Sequence, residues 1–109
     1  MAVKRVSVVV GADALAVSVE FWKSVLGVDP TFVDGERWAQ FDVGGARLNV
    51  GAGAERPATT SVMVAVDDLD GFRAIVAPAA ASAVVDGPHE RRVTFPGPSG
   101  ETVIVYQAK

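Results

Sequence analysis

The stretch RWAQFDVGGARLNVG, residues 37–51, preceded by Glu36, decides the fold. In its first arm Ala39, Phe41 and Val43 alternate with Trp38, Gln40 and Asp42, and in its second Leu48 and Val50 alternate with Arg47 and Asn49. A period of two marks strands, and Gly44-Gly45 between the arms marks a tight hairpin turn. One face of the hairpin is hydrocarbon and the other is mixed polar and aromatic. A sheet with one apolar face lays it on helices, so function is expected on the mixed face.

Working outward, Val3 to Val10 is a valine-rich strand with Val6, Val8 and Val10 on one face and Arg5, Ser7 and Val9 on the other. Asp13 is placed to cap a helix running to Leu26, with Leu15, Val19, Trp22, Val25 and Leu26 facing inward, Gly27 ending it and Pro30 beyond. Residues 29–33 form a short strand, and Val33-Asp34-Gly35 a turn into the hairpin. Residues 52–59 lack periodicity and read as a linker. Ser61 to Val66 then forms a strand, with Val62, Val64 and Val66 opposed to Ser61, Met63 and Ala65. Asp67-Asp68 is expected to cap a second helix with Leu69, Phe72, Ile75 and Val76 inward, stopping before Pro78. A short strand follows at 82–85, and Val85-Asp86-Gly87 repeats the earlier triplet. Strand 91–95 places Val93 and Phe95 opposite Arg92 and Thr94. After the turn at 96–100, Val103 and Val105 are opposed to Thr102, Ile104 and Tyr106. The halves, 3–51 and 60–107, thus share the order strand, helix, strand, strand, strand, the mark of a duplication within one domain.

The 109 residues carry a net charge of -3 with no long basic run, which argues against nucleic acid as a partner. No cysteine is present, so disulfides and thiolate metal sites are excluded. The N-terminal valine run stops at Gly11-Ala12-Asp13, too short for a signal peptide, and the tract 77–85 is interrupted by Pro78 and Ser82. A soluble, cytoplasmic protein with no membrane partner is expected.

Four segments resemble the vicinal oxygen chelate superfamily, which includes glyoxalases, bleomycin-resistance proteins and extradiol dioxygenases. They are Phe21-Trp22-Lys23-Ser24-Val25-Leu26-Gly27; Phe41 with Gly44-Gly45 and Leu48; Val64 to Asp70; and Phe95 to Gly100. The resemblance implies an α+β fold: two tandem βαβββ modules forming a curled, cup-shaped mixed sheet with helices on its outer face, usually as a homodimer. Its metal-using members place His, Gln or Glu at positions carried here onto Arg5, Asn49, Ser61 and Ile104. None of these suits a divalent cation, and the chain's one histidine, His89, sits in a turn. Neither a metal nor another cofactor is expected.

By alternation the mixed face collects Arg5, Ser7, Trp38, Gln40, Asp42, Arg47, Asn49, Ser61, Met63, Arg92, Thr94, Ile104 and Tyr106, together with Val9 and Thr102. Flat, thioether and hydrogen-bonding groups in that mixture suit a pocket for a medium-sized organic molecule. Four of them, Trp38, Met63, Ile104 and Tyr106, are larger and more apolar than a merely solvated face needs; burial at a dimer contact is the competing account. Arg47 either anchors an anionic or carbonyl group or pairs with Asp42 across the hairpin. The expected function is metal-independent capture of a planar or amphipathic small molecule, as the resemblance to drug-sequestering antibiotic-resistance members implies. The alternatives are a metal-free isomerase, lyase or cyclase using Asp42, Arg92 or His89 for proton handling, and an interaction module whose mixed face is filled by a partner subunit.

Overall fold

The computed structural model describes residues 2–75 and 81–109. Its elements run β1 (Val3–Ala12), α1 (Leu15–Leu26), β2 (Phe32–Asp34), β3 (Trp38–Val43), β4 (Ala46–Ala52), a 3-10 turn η1 (Gly53–Glu55), β5 (Ser61–Val66), α2 (Leu69–Ile75), β6 (Val85–Asp86), β7 (Glu90–Pro96) and β8 (Thr102–Ala108). The order βαβββ therefore occurs twice, in an α+β fold. Two compact units are distinguishable: Ser7–Thr60, and Ser61–Lys109 together with the chain up to Val6.

In the first unit the strands lie in the order β2-β3-β4-β1, with β1 parallel to β4 and the other neighbours antiparallel. The hairpin forms as its alternation requires, and Gly44 and Gly45 adopt φ of 53° and 84°, a pair of left-handed residues that matches the twist of the flanking strands. Ala12, Leu15, Ala39, Phe41, Val50 and Ala52 make the core, flanked by Val10, Val19, Trp22, Leu26 and Leu48. Complete burial of Phe41 contributes about 2–3 kcal/mol.

Helix α1 departs from expectation at its start and on one side. Ala14 is its N-cap and no side chain caps it, because Asp13 instead pairs with Arg56. Val25, expected inward, is 58% exposed; Leu15, Val19, Trp22 and Leu26 already fill the inward arc, and Val25 lies about 90° from that arc's centre at 3.6 residues per turn. Gly27 ends the helix in the left-handed region at φ 71°, donating to Lys23 O at 2.8 Å, as its sequence position predicts.

In the second unit the order is β5-β8-β7-β6, with β5 parallel to β8. Val66, Leu69, Phe72, Val93 and Val105 form its core, and Phe72 stacks on Phe95 at 6.1 Å. Of the two expected caps on α2, Asp68 serves, accepting from Gly71 N at 3.0 Å, whereas Asp67 accepts from Ala2 N at 2.7 Å and ties down the start of β1. The expected inward Val76 and the stop at Pro78 lie outside the described residues. The strand expected at 82–85 is confined to Val85–Asp86, although Ser82 N still bonds Thr94 O at 2.8 Å. The Val-Asp-Gly triplets are not equivalent: Asp34 stands opposite Trp38, but it is Val85 that stands opposite Arg92, the residue in Trp38's place. The connection leading to β7 is longer and shifts the register by one.

Candidate functional site

Registered pairs fix the mixed face of the first unit as three rows across β3 and β4: Trp38 with Gly51, Gln40 with Asn49, and Asp42 with Arg47. Directly opposed residues share a face, so Val9, opposite Asn49, belongs to it and Ser7 follows by alternation. Phe32 and Asp34 belong to it as well, opposite Gln40 and Trp38. Phe32 is 51% exposed and was not among the sequence-derived site residues. Its strand is only three residues long and too short to show a period, so only the register to β3 reveals its side.

The centre of this face is polar yet buried. Asn49 is 3% exposed and donates through Nδ2 to Ser7 Oγ and Val8 O, both at 3.2 Å. The row nearest the hairpin turn is an ion pair, Arg47 Nε to Asp42 Oδ1 at 2.7 Å. Asp42 also accepts from Thr31 Oγ1 at 2.5 Å and Gln40 Nε2 at 3.4 Å. Hydrogen bonding by Arg47, then by Thr31, pulls its carboxyl down to about 2. Both sequence readings of Arg47 therefore bear on one geometry: the guanidinium pairs with Asp42 through Nε, and among the described residues nothing accepts from its two Nη groups.

The opposite end of the face is closed by the stretch read as a linker. A Cβ on Gly51 would stand 2.3 Å from Glu55 O and 3.3 Å from Trp38 Cζ3, so the η1 backbone and the indole ring both rest on bare glycine. A Cβ on Gly11 would meet Arg56 Nε at 3.1 Å, because Arg56 crosses that glycine to reach Asp13. No sequence period marks this return; the glycines at matching positions of β1 and β4 are its trace.

In the second unit Ser61, Met63 and Ala65 are buried on the corresponding face, opposite Thr102, Ile104 and Tyr106. Arg92 stands opposite Tyr106 and Thr94 opposite Ile104, and Arg92 pairs with Glu90 at 3.2 Å. Arg5 is exposed near the start of β1, and His89 is exposed in the turn before β7. Of the proton-handling candidates, Asp42 belongs to the first unit and Arg92 and His89 to the second.

The pairing also corrects one carried-over metal position. Val9 faces Asn49 as Met63 faces Ile104, so the counterpart of Ser61 is Ser7, two residues beyond Arg5. Serine, asparagine, serine and isoleucine do not form a divalent-cation donor set. Among the described residues no three His, Cys, Asp or Glu side chains gather as metal ligands would, and no helix is long and apolar enough to cross a membrane.

Comparison by sequence finds no matching family model and no matching curated protein. Comparison of structures does find similar folds. The chain is similar to the NAD-dependent benzaldehyde dehydrogenase of Legionella pneumophila, with a TM-score of 0.81 at 16% identity over 96% of this chain and 100% of that one. It is similar to a glyoxalase/bleomycin resistance protein/dioxygenase superfamily member of Vibrio splendidus 12B01, with a TM-score of 0.73 at 15% identity over 97% and 99% of the two chains. An uncharacterised protein of Methanosarcina mazei follows at a TM-score of 0.59 and 15% identity, covering 100% and 95%. The fold is that of the vicinal oxygen chelate superfamily, as the four sequence segments implied. At these identities the likeness is one of fold, and the chemistry has to be argued from the site.

Proposed function

We propose that the protein captures a small, flat, amphipathic organic molecule without a metal ion, and that the mixed face of the first unit is a principal binding surface. The observation that carries the reading is the arrangement of its rows: aromatic Trp38 at the end closed by η1, the half-buried amide of Gln40 in the middle with Phe32 beside it, and a fixed ion pair at the far end. Such a surface offers stacking area and edge hydrogen bonds to one ligand, the mixture found in small-molecule sites. Arg92, Thr94, Met63, Ile104 and Tyr106 give the second unit a comparable face, with Ser61 buried among them; exposed Arg5 is proposed to contribute as well.

Capture is favoured over catalysis by the state of Asp42. A carboxyl held near 2 by three donors is fully ionised at neutral pH and too weak a base to take a proton from carbon. The biological role that follows is sequestration of a harmful compound, of the drug-resistance kind, in the cytoplasm. Two copies are proposed to pair, for which exposed Val17, Phe21 and Val25 along one side of α1 supply apolar area.

A thermal-shift screen of planar aromatic compounds, followed by calorimetry, tests the reading. Capture predicts a rise in melting temperature that grows with ligand concentration, one-to-one stoichiometry per chain and no product. Turnover of the bound compound would replace capture with catalysis.

A further inference from the structure

Resting on the binding function proposed above, we infer that the ligand is an aromatic monocarboxylate and that Arg47 receives its carboxylate through the two Nη groups. Arg47 is a poor candidate for a merely solvated cation, since its side chain is only 19% exposed. Its Nε is committed to Asp42 at 2.7 Å, and Asp42 is itself held by Thr31 and Gln40, so the plane of the guanidinium is set before any ligand arrives. What is left over, among the described residues, is the end of the fork carrying both Nη groups, and that edge matches the two oxygens of a carboxylate in a paired geometry.

Charge chooses among anions. Asp42 lies on the Nε side and offsets part of the positive charge of Arg47, so the field left at the Nη edge holds one negative charge more readily than the two of a phosphate dianion. One negative charge spread over two oxygens suits the site. The rest of the ligand follows from the rows. Phe32 stands level with Gln40, one row from Arg47, and Trp38 stands one row further. Two strand residues span about 7 Å and neighbouring strands lie about 5 Å apart, which puts Phe32 about 12 Å and Trp38 about 14 Å from Arg47 along the face, so rings extending about 10–14 Å from the carboxylate lie against both. Two or three fused rings carrying one terminal carboxylate fill that distance.

The test compares anthracene-2-carboxylate with its neutral, nearly isosteric anthracene-2-carboxamide by titration calorimetry on the full chain. The inference predicts that the carboxylate binds at least about tenfold more tightly. In Arg47→Gln the carboxylate loses at least about tenfold in affinity and this preference disappears, while a cooperative urea unfolding transition shows that the variant is folded. Arg47→Lys, which keeps the charge and loses the fork, recovers only part of the preference. Equal affinity of the two compounds for the wild type, or a preference that survives in Arg47→Gln, overturns the assignment to Arg47 and leaves the capture reading standing. Binding of neither compound overturns both.

Discussion

The Asp42 carboxylate accepts from Arg47, Thr31 and Gln40, and each of these bonds is stronger while it is ionised. Its ordinary pKa of 3.8 is lowered to about 2 in the folded protein. Below both values the folded and unfolded chains bind the proton alike; above both, ionised Asp42 favours the fold. Its contribution is therefore complete above about pH 5 and fades as the pH falls through 4 towards 2. Asp42→Asn should flatten this acid limb when melting temperature is followed against pH, and should leave the curve above pH 6 parallel to wild type. Gly51 is the second residue on which the site depends. Gly51→Ala should cost about 1–3 kcal/mol in denaturant unfolding, since a methyl group must displace the Glu55 backbone, and should shift the emission of Trp38. For Asp42 the sequence offers the pair with Arg47 and no more, and for Gly51 it offers nothing. A carboxylate four residues after a tryptophan on the same strand face does not announce that a threonine from the preceding turn bonds it, and a glycine ending a strand reads as a stop.

At the scale of elements, the hairpin was legible in full because two-residue alternation and a Gly-Gly turn are local signals, and the structure keeps every alternating position on its expected side. Helix α1 was legible in extent and α2 in its start, both less so in detail. Asp13 and Asp67 both stand in cap-like positions, yet each is drawn away by a long-range partner, Arg56 in one case and the Ala2 amide in the other. Asp68 is the cap that remains. Replacing it by alanine should lower stability by about 1 kcal/mol in urea unfolding, with no effect on ligand affinity; Asp67→Ala should instead loosen the start of β1, seen as faster amide exchange at Val3 and Lys4. Short strands escaped for a physical reason. Strands β2 and β6 have too few residues for a period, and their register depends on connections whose lengths differ between the halves.

For the whole molecule, repetition was the legible feature: the same five elements recur, and the pairs Val9 with Asn49 and Met63 with Ile104 occupy matching places. Repetition of backbone did not carry over into repetition of chemistry. Trp38, Gln40 and the Asp42–Arg47 pair are matched in the second half by Arg92, Thr94 and the Pro96–Thr102 pair, so the first half bears the more elaborate polar face. The apolar side of α1 is a separate matter, and Val17→Ser with Phe21→Ser should shift the sedimentation coefficient from that of a pair of chains to that of one without lowering ligand affinity per chain. A flat ligand lying on the mixed face of the first unit would be seen in the two indole N–H resonances of Trp22 and Trp38 during titration with anthracene-2-carboxylate. The Trp38 resonance is expected to move saturably by ring-current shift while that of Trp22, a residue of α1 packed against the core of the first unit, stays in place. A shift confined to Trp22, or none at either indole at saturation, would contradict it.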